Sequence, residues 1–307
     1  MRACAFLLCA LVWAGAGCVT VTEDEREAYA RLTETKLEEI DGKLRRWSDA
    51  RNTENFVLEQ VLYRDLRREA GRLSEALKLG LASQDAFKRR VSAATLGFSN
   101  DLGAAGLLVE SLQDPKPGVR AGAMLGLCLL NTRRIPTGPI EGALEDADAI
   151  VRRLAVLCLG NLYDPTTKPD LFFRFVESLD DPDAGVRINA ALVLGESGEV
   201  RAAPVLARAG LSDRNALVRR NAALGLGRLK VSAAVPALVR ALKDEMNEVV
   251  RVEIVDALEK ITDQSLGSEA DAWERALEGG ALAAGRFEGP EGTRAFPESE
   301  GGGGTGE

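Results

Sequence analysis

The sequence contains no histidine. Across 307 residues that absence removes Ser-His-Asp and Cys-His catalysis, imidazole-held zinc or iron, and any histidine-based pH switch. A long basic run is missing too: 39 Lys and Arg stand against 47 Asp and Glu, a formal net charge of −8. A nucleic-acid surface needs clustered cations to displace counterions from phosphates, so the balance argues against that partner. Acidity of this size is chiefly a solubility property. No segment alternates like a strand over any comparable length, and residues 23–81 carry no proline.

What is present is a repeat. VRRNAALGLG starts at Val218, VRINAALVLG at Val186, VRRLAVLCLG at Val151 and VRAGAMLGLC at Val119, with weaker copies KRRVSAATLG at Lys88 and VRVEIVDALE at Val250. Counted on Arg89, Arg120, Arg152, Arg187, Arg219 and Arg251, the steps are 31, 32, 35, 32 and 32 residues. A near-fixed period of this length predicts a solenoid. Each unit reads as two helices. The first ends in Leu, a turn carries Asp, and the second opens with Val-Arg, as at Leu112-Gln-Asp114, Leu144-Glu-Asp146, Leu179-Asp-Asp181 and Leu211-Ser-Asp213. Leu242-Lys-Asp244 keeps the Leu-x-Asp but has one extra residue before Val250-Arg251.

The Asp can accept from backbone N–H groups of the next helix, as a cap does. The Arg lies in the first turn, where a lone cation opposes the helix dipole, so it is expected to pair with an Asp of its own or a neighbouring turn. Asp114, Arg120, Asp146, Arg152, Asp181, Arg187, Asp213, Arg219 and Arg251 are therefore assigned to a structural ladder. In the second helix Val218, Ala222, Ala223 and Leu226 share one apolar stripe. Gly160, Gly195 and Gly227 permit close contact or a turn, and Pro204 and Pro236 suit the first turn of a first helix.

The pattern Leu-x-Asp…Val-Arg-x-x-Ala-Ala-x-x-Leu-Gly resembles HEAT repeats of the short bacterial kind, also called phycobilisome-lyase-like repeats. The resemblance covers about 180 residues and is strongest at Val186 and Val218. It implies an all-α fold: a right-handed α-solenoid of about six short HEAT-like helical repeats with the second helices lining the concave face, preceded by a helical hairpin. Enzymes with related repeats include the deoxyhypusine hydroxylases, which hold iron through His-Glu pairs that this chain cannot supply.

Residues 1–17 read as a signal peptide. Arg2 precedes the twelve-residue apolar run Ala3–Ala14, too short to span a bilayer as a helix but long enough for a secretory core. Small residues then lead to Cys18, a stretch resembling a bacterial lipoprotein signal, with Gly15 where that motif favours Leu. The resemblance implies lipidation of Cys18, and Val19, in place of Asp, points to the outer membrane. The alternative is cleavage at the small-x-small site Ala14-Gly15-Ala16, releasing a soluble periplasmic protein. Cys128 and Cys158 lie in apolar helix segments at the tenth and eighth residues of their units, which predicts free thiols pointing in different directions; the alternative is a disulfide between them in an oxidising compartment.

Residues 18–82 form a tether and helical hairpin. One stripe carries Leu37, Ile40, Leu44 and Trp47, another Val61, Leu62, Leu66, Leu73 and Leu77, and Asn52 or Thr53 is the expected cap between them. A coiled-coil arm would need more sustained heptads. The array spans 83–263. Residues 264–280 are a C-terminal capping helix, with Ser268 at its start and Trp273 and Leu277 covering the last repeat. The Gly-rich tail 281–307 is expected to be disordered.

No cluster of acid, base and nucleophile appears, so the reading is not an enzyme, with no cofactor and no metal. A non-catalytic, membrane-anchored scaffold for another envelope protein fits best. Candidate contacts on the concave face are Arg153, Asn161, Asn189, Glu196, Arg220, Asn221, Arg228 and Glu253. The alternative is a lyase- or chaperone-type protein acting on a bound chromophore or protein substrate.

Overall fold

The computed structural model describes residues 22–282 apart from Glu54, Asn131, Arg133 and Arg134. The signal segment, Cys18 and the tail beyond Leu282 lie outside the described residues. Among the described residues every regular element is helical, and no helix is long and apolar enough to cross a membrane.

Four helices lead in: α1 (Glu23–Ala30), α2 (Glu34–Asn52), α3 (Phe56–Arg72) and α4 (Ser74–Gly80). Leu37, Ile40, Leu44 and Trp47 of α2 are all buried, as the three- and four-residue spacing requires. The hairpin of α2 and α3 cannot bury these stripes alone and closes over α5 (Ala86–Leu96). Trp47 meets Phe98 edge-on with ring centroids 5.2 Å apart, and Tyr63 lies against the same ring at 5.5 Å. Buried Asp41 of α2 pairs with Arg45 at 2.7 Å and with Arg90 of α5 at 2.9 Å, pinning the hairpin to the first unit. Two details differ from the sequence expectation. The segment 48–52 stays helical, and Asn55, accepting from the Leu58 N–H at 3.2 Å, caps α3 in place of Asn52 or Thr53. Val61 faces solvent.

The units follow as pairs of a short first helix and a long second one. α4 serves α5; α6 (Ala104–Ser111) serves α7 (Pro117–Leu130); α8 (Gly138–Gly142) serves α9 (Ala149–Leu162). α10 (Leu171–Glu177) serves α11 (Ala184–Glu196), and α12 (Ala202–Val205), continued by a π turn over Leu206–Gly210, serves α13 (Ala216–Leu229). α14 (Val235–Asp244) serves α15 (Glu248–Thr262), with Pro236 in its first turn. The first unit thus takes its first helix from residues ahead of 83.

Val218, Ala222, Ala223 and Leu226 are fully buried, and their counterparts Val186, Ala190, Ala191 and Leu194 match them. Second helices pack along one another through the array, whereas first helices touch their neighbours at few points. The closely spaced layer is the inner one, so the second helices form the concave side. Their spacing is set by small residues at one recurring contact: the tenth residue of a unit, counted from its Val, meets the eighth of the next. A Cβ on Gly195 would lie 2.5 Å from Gly225 Cα, one on Gly97 2.6 Å from Gly126 Cα, and one on Gly227 3.0 Å from Ala257 Cα. Between α7 and α9 the same two places hold Cys128 and Cys158, whose thiols interact and are unlinked. The expectation that they point apart fails because adjacent helices are offset by two residues, which brings unlike positions together.

α16 (Ala270–Glu278) ends the array. Trp273 is fully buried, and its indole Nε1 donates to the Gly267 carbonyl at 2.8 Å. Ser268 does not cap this helix: Glu269 stands at the N-cap without a side-chain bond, and Ser268 Oγ turns to its carboxylate.

Candidate protein-interaction face

The ladder exists, and each rung has the same chemistry. Arg120 Nε and Nη2 donate to Asp146 at 2.6 and 2.7 Å, while its Nη1 donates to the Asp114 carbonyl of its own turn at 2.9 Å. Arg152 repeats this with Asp181 and the Asp146 carbonyl, and Arg187 with Asp213 and the Asp181 carbonyl. Arg89 makes an earlier rung to Asp114. Each guanidinium thus holds its own turn by backbone and the next turn by a bidentate carboxylate, a geometry that arginine's planar fork suits. Arg219 reaches Glu245 at 2.6 and 2.8 Å. The Leu-x-Asp pattern here falls one place early, on Asp244. Counted back from Val250, Glu245 is the residue in register. Among the described residues Arg251 has no carboxylate partner and donates to the Leu242, Glu245 and Ser268 carbonyls, which closes the ladder against the lead-in to α16.

The rung carboxylates are not themselves the helix caps. Asp146, Asp181, Asp213 and Glu245 each accept from the N–H two residues on, at 2.7–2.9 Å. The residues so fixed, Asp148, Asp183, Asn215 and Asn247, are the N-caps of α9, α11, α13 and α15. The Arg120 hydrogen bond holds the Asp146 carboxyl below the usual carboxylate range, and Arg219 does the same for Glu245. At Asp213 burial pushes upward, but the bonds from Arg187 and the Asn215 N–H outweigh it and the net direction is down.

Most of the eight expected concave-face contacts are already engaged. Arg228 pairs with Glu196 at 2.9 Å and Arg220 with Glu253 at 3.2 Å, each across a repeat boundary. Asn189 Nδ2 donates to the Arg153 carbonyl at 3.0 Å and Asn221 Nδ2 to the Ile188 carbonyl at 3.1 Å. Asn161 Nδ2 donates to Cys128 Sγ at 3.4 Å. These groups form a second line of stitches along the inner layer. The Arg153 side chain is exposed and makes no ion pair among the described residues.

What the inner face leaves open is apolar. Ile150, Leu217 and Val249, each just before its Val, are 52%, 52% and 60% exposed, and Val252 adds to the same end. Seven residues, about two turns, further along the stripe, Leu125, Leu157, Leu192 and Leu224 recur at the seventh place and are half-buried. On α13 the solvent-facing stripe is Leu217, Arg220, Leu224 and Arg228, with steps of three and four. Sequence reasoning missed this row because Leu224 stands at an x position of the Ala-Ala-x-x-Leu-Gly pattern, to which no face was assigned. On the loop side, clefts of about 630 and 400 Å³ open beside the Arg219–Glu245 and Arg120–Asp146 rungs.

A family model described as HEAT repeats matches residues 137–212 and 207–272. Over these residues the units are similar to HEAT repeats. No curated protein matches the chain. Solved structures similar to the array include a designed armadillo repeat protein (21% identical, 60% of this chain and 98% of that one, TM-score 0.45). The CpcE–CpcF complex of phycocyanin lyase from Nostoc is 17% identical over 87% of this chain and 97% of that one, with a TM-score of 0.44. Human deoxyhypusine hydroxylase is 20% identical over 74% and 97%, with a TM-score of 0.35. At these identities the likenesses carry no functional argument.

Proposed function

We propose that the chain is a non-catalytic scaffold of the bacterial cell envelope, anchored through lipid at Cys18 to the periplasmic side of the outer membrane, that binds another envelope protein on its concave face. The observation that carries this reading is the unpartnered apolar row Ile150, Leu217, Val249 and Val252 beside the leucines at the seventh place. Rows of this kind on an otherwise charged surface mark protein contacts, and repetition by HEAT units extends the area without adding chemistry. The polar residues of the same face are tied to one another, so contact energy comes from the apolar row, with Arg153 offering a cation for an acidic group.

The test is photo-crosslinking in cells from a probe at position 217, followed by identification of the captured protein. Leu224→Asp with Val249→Asp should abolish capture while leaving helicity and melting intact; undiminished capture overturns the face. Labelling with radioactive palmitate should mark the wild type and not Cys18→Ala, and equal labelling overturns the anchor. The second reading is a lyase- or chaperone-type protein. It predicts that the purified chain retains colour when given a pigment, which a scaffold does not.

A further inference from the structure

The recurring contact between second helices is filled by glycine on one side at four of its five occurrences, Gly97, Gly160, Gly195 and Gly227. Only between α7 and α9 do both places carry a reactive side chain, Cys128 facing Cys158. The two thiols are unequal. Cys128 is half-buried at the inner face, where exposed Asn161 donates to its sulfur at 3.4 Å, and Arg51 of α2 adds a positive potential. Cys158 is buried. Contact with Cys158 and the Asn161 bond hold the Cys128 thiol below its ordinary range, while contact with Cys128 and burial push the Cys158 thiol up.

We infer that Cys128 and Cys158 are a dithiol modification site, closed to a disulfide by exchange with a disulfide-class oxidant, that bolts the α7 and α9 units together across the inner face. Cys128 is the entry thiol and Cys158 the resolving one. The Cys128 thiolate attacks one sulfur of the oxidant, forming a mixed disulfide and expelling the other sulfur as a thiolate. Cys158 gives up its proton to the expelled thiolate, attacks Cys128 Sγ and releases the second thiolate. Two protein thiols are oxidised by two electrons, and one oxidant disulfide becomes two thiols. The bond closes a loop that contains α8 and the connection after α7, so it removes freedom from the unfolded chain.

The experiment equilibrates the full chain with graded ratios of oxidised and reduced glutathione, then quenches, alkylates and maps peptides without reduction. The expected result is a Cys128–Cys158 linked peptide favoured by ~30–1,000-fold in the folded chain over the urea-unfolded chain, the factor by which such a bond stabilises a fold. Cys158→Ser should trap glutathione on Cys128, whereas Cys128→Ser should leave Cys158 unmodified. The proposal is overturned if the linked peptide forms no more readily in the folded chain than in urea, or if glutathione enters at Cys158. Should either variant fail to fold, the comparison of wild type in buffer and in urea decides alone.

Discussion

Arg187 and Asp213 form the most buried rung of the ladder, their side chains only 6% and 10% exposed, with Arg187 Nη1 also donating to the Asp181 carbonyl at 2.9 Å. One guanidinium thereby satisfies two successive turns at a place that water barely reaches. The pair joins units that share an apolar interface, so its loss is felt on both sides.

Arg187→Ala should destabilise the array by about 3–5 kcal/mol, because it strands the Asp213 carboxylate and the Asp181 carbonyl in a buried site. Arg251→Ala removes hydrogen bonds to carbonyls alone and should cost about 1 kcal/mol. Urea unfolding followed by far-UV dichroism gives both values; equal losses would mean that burial of the rung does not matter.

Stability should be flat between about pH 5.5 and 8, since no imidazole titrates there, and should fall steeply below about pH 4. The rung carboxylates Asp146, Asp213 and Glu245 have depressed pKa values in the folded chain, so the unfolded chain binds more protons. Their contribution is complete above the ordinary carboxylate range and is lost as pH falls through the folded values. Melting curves across pH 2.5–8 test this, and a melting point that holds steady down to pH 3 would remove the ladder from the account of stability.

Gly195→Ala should cost about 1–3 kcal/mol, since its Cβ would sit 2.5 Å from Gly225 Cα, where only backbone can yield. Gly142→Ala, with open space at its Cβ, should be neutral or slightly stabilising. Paired thermal melts of the two variants provide the comparison.

Trp273→Ala should free the α14–α15 pair first, because Trp273 is the large apolar cover on the last unit and its indole closes onto Gly267. Hydrogen exchange should quicken over residues 235–262 while α7 and α9 keep their protection. Uniform quickening would show that the array unfolds as one body.

The architecture was legible because a 32-residue period makes the same physical choice visible several times over. Val218, Ala222, Ala223 and Leu226 could be placed in the core from any one unit, and the other units confirmed them. What stayed hidden depends on how one unit sits on the next. Glu245 replaces an Asp with a side chain one methylene longer, and the shifted Leu242 disguised its register. The tenth-to-eighth offset that joins Cys128 to Cys158 has no trace within a single unit. Asp148, Asp183, Asn215 and Asn247 read as ordinary turn residues until the carboxylate two places before each one holds its N–H. The ion pairs Arg228–Glu196 and Arg220–Glu253 tie residues of the candidate contact surface to one another for the same reason.

Every guanidinium between Arg120 and Arg187 meets identical demands fore and aft, so the joints of this protein are interchangeable. A chain in which Asp183 is followed directly by Ala216 would still offer Arg152 its carboxylate at Asp181, give α13 a cap, and leave Arg219 its grip on Glu245. Length is then an adjustable property of the molecule, with the reach of the inner face gained or shed a whole unit at a time and the two ends left untouched.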